Sequence, residues 1–356
     1  MGDESADAKD MRLSPPATQG ASAGVALLPG SDISALPRAN LDDLDRVLIE
    51  SLLNDGKMTN RELAAHAGIS ESAVSIRLRK LTASGALIFT AVIDWEAAGF
   101  EWFVMVRLKT HSRSPREVAD EVAVLDQCEA VAVTIGTHDV VAFFLVEDRA
   151  ELRQLTNYAL PAIKGISAMR VDLATDTSVT PNGRKLFLAR GAPPIRLPAP
   201  KVELDDLDVA ILQALIIDGR QSSRKTARAL NVSEGTIRAR MSRLTQAGLV
   251  RVVAMVEPVA MGLAGVIAFV SIRADRAKIN EIHEQLGKVP DLVFIAVCVG
   301  SSDLSVAVTA ADPQQLTELV SSRIQTIDGV QATDTLFMVD VVRFSPYLKR
   351  LDPTDA

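Results

Sequence analysis

The fold is decided by residues 41–94, LDDLDRVLIESLLNDGKMTNRELAAHAGISESAVSIRLRKLTASGALIFTAVID, which occur a second time in changed form. The second copy is residues 204–257, LDDLDVAILQALIIDGRQSSRKTARALNVSEGTIRARMSRLTQAGLVRVVAMVE. Residues 41–100 align with residues 204–263 without a gap, and about 19 of roughly 60 positions are identical. A weaker match continues to residues 136–139 and 300–303. The chain is therefore a tandem duplication of one two-domain unit.

The repeated stretch has the signals of three short helices. Asp42 and Asp43 are the N-cap candidates for the first helix and Ser70 is the candidate for the third, and Gly68 permits a tight turn before the third. A short helix, a glycine-containing turn and a longer helix predict a helix-turn-helix. The strands predicted after the third helix, Leu87–Ile93 and Leu249–Val256, form either a wing or a connecting arm.

The third helix of each copy is a candidate recognition helix. Small residues near its N-terminus suit entry into the major groove, and the Arg and Lys residues that follow suit phosphates and guanine edges. Basic residues also solvate helices that only pack, and that alternative stays open. The candidate DNA-binding residues are Ser72, Ser75, Ile76, Arg77, Arg79, Lys80, Arg224, Lys225, Thr236, Arg238, Arg240 and Arg243.

The two helical modules differ in charge. Glu62 and His66 of the first copy are replaced by Lys225 and Ala229 in the second. We therefore expect the second module to hold phosphates more strongly. The whole chain has 38 Lys and Arg against 45 Asp and Glu, a net charge of −7, so that a nucleic-acid surface has to be local.

After Gly99 the apolar periodicity changes and predicts an α+β domain. Its predicted elements are the strands Phe103–Lys109, Val131–Ile135, Val140–Val146 and Ile166–Leu173 and the helices Pro115–Leu125 and Arg149–Ile163. The second copy gives the same order. This βαββαβ order predicts a ferredoxin-like sandwich, in which helices cover one face of an antiparallel sheet. The other face needs a partner, and the second copy supplies one.

The predicted fold class is α+β, with two repeats of a winged helix-turn-helix followed by a ferredoxin-like sandwich. The predicted domains are a disordered tail (1–40), a DNA-binding domain (41–100), an effector and dimerisation domain (101–180), a linker (181–203), a second DNA-binding domain (204–263), a second effector domain (264–345) and a C-terminal tail (346–356). The linker, rich in proline and in basic residues, is interpreted as a semi-rigid extended spacer. The alternative is a strand that touches phosphates.

Composition excludes several classes of protein. The 356 residues are 48% apolar and 23% charged, which fits a globular protein of more than one domain. Two cysteines, Cys128 and Cys298, are too few for a disulfide framework or a four-thiolate zinc site and suit a reducing cytosol. Neither a signal peptide nor an apolar run long enough to span a membrane is predicted, so that we expect a cytoplasmic protein without cofactors.

These residues resemble the Lrp/AsnC (leucine-responsive regulatory protein) family of transcription factors over nearly all of 41–345. The resemblance rests on paired aspartates at the start of the first helix, on the corners Asp55-Gly56-Lys57 and Asp218-Gly219-Arg220, and on the pattern from Ser70 to Gly85, which recurs from Ser233 to Gly248. A Gly-x-x-Asp turn follows in each copy. Where the family often has two adjacent arginines, this chain has Ile76-Arg77 and Ala239-Arg240.

The resemblance implies binding of double-stranded DNA and, between ferredoxin-like domains, of an amino acid or similar effector. A carboxylate would meet the backbone N–H groups of the turns, and Asp139 or Asp303 would meet an ammonium. The implied effector-binding residues are Gly136, Thr137, His138, Asp139, Gly300, Ser301, Ser302 and Asp303. The resemblance also implies an intramolecular pseudo-dimer of the two halves and further homo-oligomers.

Two alternatives belong to other functional classes. Siroheme decarboxylases resemble the same unit, but their Trp-Pro-Tyr-Asn and His-Cys-Tyr stretches have no match here, so that an enzyme is not expected. The other alternative is a metabolite-binding or assembly protein that does not read DNA, which Ile76, Ala239 and the negative net charge favour.

Overall fold

The computed structural model describes residues 11–13, 41–56, 58–186, 188, 194–258 and 264–351. Lys57, most of the predicted N-terminal tail, part of the linker and the last five residues of the C-terminal tail lie outside the described residues. Within the described ranges each half has a helical module followed by an α+β domain, which confirms the predicted fold class.

Three helices open the first half: α1 (Asp43–Asn54), α2 (Asn60–Ala67) and α3 (Glu71–Ala83). Their N-cap residues are Asp42, Thr59 and Ser70, and each side chain accepts a hydrogen bond from a backbone N–H three residues later. Gly68 ends α2 with φ +67°, a left-handed conformation that glycine adopts without a Cβ clash. Local capping therefore sets the turn that aims α3 outward.

The rest of the first half forms a four-stranded antiparallel sheet with helices on one face, in the strand order β4-β5-β3-β6. The elements are β2 (Leu87–Asp94), β3 (Trp102–Thr110), α4 (Pro115–Ala123), β4 (Cys128–Ile135), β5 (Val140–Val146), α5 (Arg149–Gln154), α6 (Leu160–Ala162) and β6 (Ile166–Val179). A π-helical segment, Leu155–Ala159, joins α5 to α6. Strand β6 is longer than predicted because its end pairs with the second half.

The part of the segment between the halves that the structure describes is packed, which corrects the prediction of an extended spacer. It contains α7 (Pro181–Arg184) and β7 (Ile195–Leu197), and β7 pairs with β1 (Met11–Leu13) from the region predicted to be a disordered tail. Arg196 is buried and donates a 2.7 Å hydrogen bond to Glu151, so that it is not available to phosphates. The apolar residues that flank Arg196 are fully buried, and this burial holds the segment in place.

The second half repeats the first. Its elements are α8 (Asp206–Ile217), α9 (Ser223–Leu230), α10 (Glu234–Gln246), β8 (Val250–Val256), β9 (Val266–Ala274), α11 (Ile279–Gly287), β10 (Leu292–Val299), β11 (Leu304–Ala310), α12 (Pro313–Glu318), β12 (Val330–Phe344) and β13 (Leu348–Lys349). Asp205, Ser222 and Ser233 are the helix N-caps. Asn231, with φ +54°, takes the place of the glycine that ends α2.

The two sheets join into one closed barrel of eight strands. Strand β12 pairs with β4, and β10 pairs with β6, all antiparallel. The halves therefore pair through edge hydrogen bonds as well as through the faces of their sheets. Closure leaves neither sheet with an open edge.

The strands that follow the helical modules pair with each other across the halves. Strand β2 pairs antiparallel with β8, and β13 adds to β2 in parallel. The core of the first module includes Ala254 and Val256 of β8, whereas the core of the second includes Ala91 and Ile93 of β2. Thr90 also donates a 2.8 Å hydrogen bond to a carbonyl of α8. The strands after the helical modules are therefore connecting arms and not wings. Each helical module is completed by a strand of the other half.

Candidate DNA-binding surface and effector turns

The third helix of each module presents a solvent-exposed face, as its spacing predicts. In the first module Ser72, Ile76, Arg79 and Lys80 are exposed, while Ser75 and Arg77 are half-buried. In the second, Arg238 and Arg243 are exposed, while Thr236 and Arg240 are half-buried. The apolar residues on the opposite side of these helices pack into the module cores.

Arg77 and Arg240 are held inside their modules by ion pairs. Arg77 Nη1 lies 2.6 Å from Asp42 and 2.8 Å from Asp45, and Arg240 Nη1 lies 2.6 Å from Asp205. Hydrogen bonds from Arg240 and from a backbone amide lower the pKa of Asp205 to about 2. Each arginine therefore fastens the recognition helix to the N-terminus of the first helix, a positioning contact that the sequence interpretation as a DNA contact missed.

We expect Arg77→Ala to destabilise the protein more than Arg240→Ala. Asp45 is buried, and Arg77 is its ion-pair partner among the described residues, whereas buried Asp208 keeps an ion pair with Arg243 when Arg240 is removed. Urea unfolding of the two variants measures the difference as a lower midpoint for Arg77→Ala. Equal midpoints would contradict it.

The two recognition helices differ in whether their exposed cations are paired, and within the described residues the helix before each of them has an exposed cation without an ion pair, Arg61 on α2 and Arg224 on α9. On α3, Arg79 and Lys80 form no ion pair within the described part of the chain. On α10, Arg238 pairs with Glu234 one turn earlier in the same helix. Arg240 pairs with the N-cap residue of α8, Asp205, and Arg243 pairs with Asp208 of α8. On α9, Arg224 and Arg228 are exposed without an ion pair in the described ranges. The second module therefore presents its unpaired charge on the helix before the recognition helix.

The aspartates of the two Gly-x-x-Asp turns are occupied within their own halves. Asp139 accepts hydrogen bonds from Lys109 Nζ (2.8 Å) and from the Thr110 backbone N–H (2.7 Å). Asp303 accepts one from the Ala274 backbone N–H (3.0 Å) and lies 3.0 Å from Arg276 Nε. These carboxylates tie each hairpin turn to the end of the first sheet strand. The predicted contact with an effector ammonium stays a prediction.

The turn of the second half already holds a carboxylate. Asp172 of β6, which is fully buried, accepts hydrogen bonds from the backbone N–H groups of Ser301 and Ser302 and from Arg107 Nη2 (2.7 Å). Arg107 also donates to the hydroxyl of Ser271 at 2.7 Å. The turn thus binds a carboxylate of the first half in the manner that the sequence predicts for an effector.

The turn of the first half lacks this partner. Gly136 approaches Leu336, which stands in β12 where Asp172 stands in β6. Thr137 donates a 2.6 Å hydrogen bond to Asp334 and lies 2.9 Å from His138 Nδ1. Partial burial and the nearby Arg107 lower the pKa of His138, so that the imidazole is neutral at neutral pH. The two turns are therefore chemically different.

Sequence reasoning missed Arg107, Asp172 and Ser271, which lie inside the barrel. The signal for Arg107 is a single cation inside the apolar run FVMVRL of residues 103–108. A cation at an inward position of a strand needs a buried acid, although the sequence does not show which acid. Within the described residues, no helix is long and apolar enough to cross a membrane, and no cluster of His, Cys, Asp and Glu is suited to a metal.

Family models match the chain twice each. The Lrp/AsnC ligand binding domain matches residues 101–182 and 267–348, and the AsnC-type helix-turn-helix domain matches 41–82 and 204–245. The first pair of ranges contains the two Gly-x-x-Asp turns, and the second pair contains all but the last residue of α3 and of α10.

Similar proteins agree with these models. An uncharacterized HTH-type transcriptional regulator, PH0140 of Pyrococcus horikoshii, is 35% identical over 145 residues, which are 40% of this chain and 91% of that protein. The HTH-type transcriptional regulator FL11 of the same organism is 33% identical over 137 residues, or 38% of this chain and 91% of FL11. Each relative thus corresponds to one half of this chain.

A solved structure extends the likeness to both halves. The siroheme decarboxylase NirDL covers 87% of this chain and 95% of its own, with a TM-score of 0.59. Its identity to this chain is 12%, so that the likeness concerns the fold alone. Because the two family models recur in the same order in both halves, the chain belongs to the Lrp/AsnC family of helix-turn-helix transcriptional regulators and carries both family domains twice.

Proposed function

We propose that the protein binds specific DNA sites as a transcriptional regulator, with its two helix-turn-helix modules acting as a fixed pair. The observation that carries this proposal is the strand exchange between the modules. Because each module core contains β2 or β8 from the other half, the two recognition helices keep one spacing. We expect half-sites whose centres lie one helical turn, about 34–36 Å, or a multiple of it apart.

The operator is expected to be an imperfect palindrome. The exposed faces of the recognition helices differ, with Ile76 and Arg79 on α3 and Arg238 and Ala239 on α10. Different side chains over the two half-sites favour different bases, since base edges in the major groove are read by hydrogen bonds and apolar contacts.

The proposal is tested by selecting sites from random duplexes and footprinting the selected sites and the region upstream of the protein's own gene. The expected result is one protected stretch with two unequal half-sites, and an affinity that falls steeply as salt increases. An affinity that does not change with salt would instead support the alternative of an assembly or metabolite-binding protein.

We also propose an effector of the amino-acid class between the ferredoxin-like domains, at the turn of the first half. The turn at Gly136 and Thr137 is exposed, whereas Asp172 fills the turn of the second half. Calorimetric titration with a panel of the common amino acids is expected to give one binding site per chain. Two equal sites per chain would contradict the assignment of the second turn as filled.

We further propose that the protein acts in the cytoplasm and that chains associate into homo-oligomers. Large apolar side chains are exposed beside both turns, with 64% of Ile135 and 51% of Val299 accessible to solvent. Sedimentation equilibrium of the wild type and of Ile135→Ser tests this association, which the variant should weaken.

A further inference from the structure

A cavity of about 190 Å³ lies where the barrel meets the ribbon formed by β2, β8 and β13. Strands of both halves line it, and its wall is mostly apolar, with aromatic rings among the aliphatic side chains. The rings of Phe103 and Trp95 stack at 5.2 Å, and that of Phe103 lies 5.2 Å from Phe294. The cavity belongs neither to the recognition helices nor to the effector turns.

Two oppositely charged side chains also line the cavity. Glu129 of β4 is buried, and no hydrogen bond of good geometry reaches either of its carboxylate oxygens among the described residues. Burial raises the pKa of Glu129 to about 7, and the hydroxyl of Ser345, which is placed to donate, and the charges of Arg343 and Arg196 oppose this shift only in part. A buried carboxylate without an ion-pair partner is costly in an apolar site.

Lys349 is the second charged group, and it differs from Glu129 in having partners. Its Nζ donates hydrogen bonds to the backbone carbonyls of Gly183 (2.8 Å) and Leu186 (3.0 Å). Burial lowers the pKa of Lys349 to about 7. The unmet demand in the cavity is therefore for a donor to Glu129.

We propose that this cavity is a binding site for a small apolar molecule that carries a protonated amine, with the ammonium on Glu129 and the apolar part among the aromatic rings. A dry cavity of roughly 150 Å³ holds a benzene ring, so that this one has room for a ring with a short chain. Aromatic faces also attract a cation. This site goes beyond the proposed DNA and effector function, and its occupancy is measured without DNA.

The site is placed to report on the helical modules. Lys349 belongs to β13, which pairs with β2, and Trp95 directly follows β2. Strand β2 lies in the core of the second module. A ligand in the cavity thus contacts β13 and Trp95, which are joined to β2 by strand pairing and by the chain, respectively.

The test is calorimetric titration of the full chain with phenethylamine at about pH 8, where the amine is protonated and Glu129 is mostly ionised. Quenching or shift of Trp fluorescence is the second readout, since Trp95 lines the cavity. We expect one saturable site per chain with a dissociation constant on the order of 100 µM, which fits a ligand of this size. Phenylpropionate, which replaces the ammonium with a carboxylate, should not bind.

Glu129→Gln is the decisive variant because it keeps the shape and removes the charge. It should weaken phenethylamine binding by about tenfold or more. The matched control is Glu284→Gln, an exposed glutamate outside the cavity, which should bind as the wild type does. Ala307→Phe fills the cavity and should abolish binding.

Four results would overturn the proposal. The first three are no saturable binding of phenethylamine, tryptamine or isoamylamine to the wild type, equal affinity in Glu129→Gln, and equal affinity for phenylpropionate. The fourth is undiminished binding to a folded Ala307→Phe, which would place the amine elsewhere.

Discussion

Replacing Arg107 with leucine is expected to destabilise the protein by about 3–5 kcal/mol, since removing one partner of a buried ion pair leaves the other charge without compensation. The side chain of Arg107 is 6% exposed and that of Asp172 is 0% exposed, with 2.7 Å between Nη2 and the carboxylate. Arg107 also links the first half to the second inside the barrel, through the hydroxyls of Ser271 and Ser302. Urea unfolding followed by circular dichroism measures the loss.

The matched control is Lys109→Leu on the same strand. Lys109 pairs with Asp139 at a similar distance of 2.8 Å, but its side chain is 46% exposed. An exposed pair of this kind contributes about 0–1 kcal/mol, so that the control should stay close to the wild type. Equal losses for the two variants would show that burial of the Arg107 pair has no energetic consequence.

Neutralising α9 by the triple substitution Arg224→Gln, Lys225→Gln and Arg228→Gln is expected to weaken DNA binding about a hundredfold at about 150 mM salt. Each lost phosphate contact lowers the slope of log K against log salt by about 0.9, so that three contacts lower it by about 2.7. The three side chains are exposed, and Lys225 has only a 4.0 Å ion pair with Asp218. Fluorescence anisotropy with a selected duplex over a range of salt measures both effects.

A variant with the same loss of charge elsewhere separates local contacts from net charge. Arg149→Gln, Arg153→Gln and Lys164→Gln remove three exposed cations from the helical side of the first sheet. This control should leave the salt slope unchanged. If both triple variants weaken binding equally, α9 does not contact phosphates, and the assignment of the second module's charge fails.

The sequence was sufficient for elements that local signals determine. The N-cap at Ser70, the turn at Gly68 and the order of strands and helices are predictable, because caps, turns and apolar periodicity depend on residues near one another in the chain. Because the chain is duplicated, the same local signals occur in both halves and predict the same elements twice.

Pairings between distant segments were not predictable. Nothing near β2 in the sequence indicates that it completes the other module. The alternation Ile195-Arg196-Leu197 is typical of a strand, but the prolines around it favour a linker. The same limit applies to the candidate site. Arg77 was recognisable as a cation on an exposed helix, but only the fold shows that the acidic cap of α1 binds it. Ion-pair and strand partners that are distant in the sequence cannot be identified from residue spacing alone.

The covalent link between the halves allows equivalent positions to acquire different residues. In a dimer of identical chains every substitution appears at both symmetry-related positions, whereas here Asp172 faces one turn and Leu336 faces the other. Tethering also keeps the two halves at a high effective concentration, so that each first half meets a second half rather than its own kind. Fusion thus lets the two halves diverge at equivalent positions, so that the turn at Gly300 holds the Asp172 carboxylate while the turn at Gly136 faces Leu336.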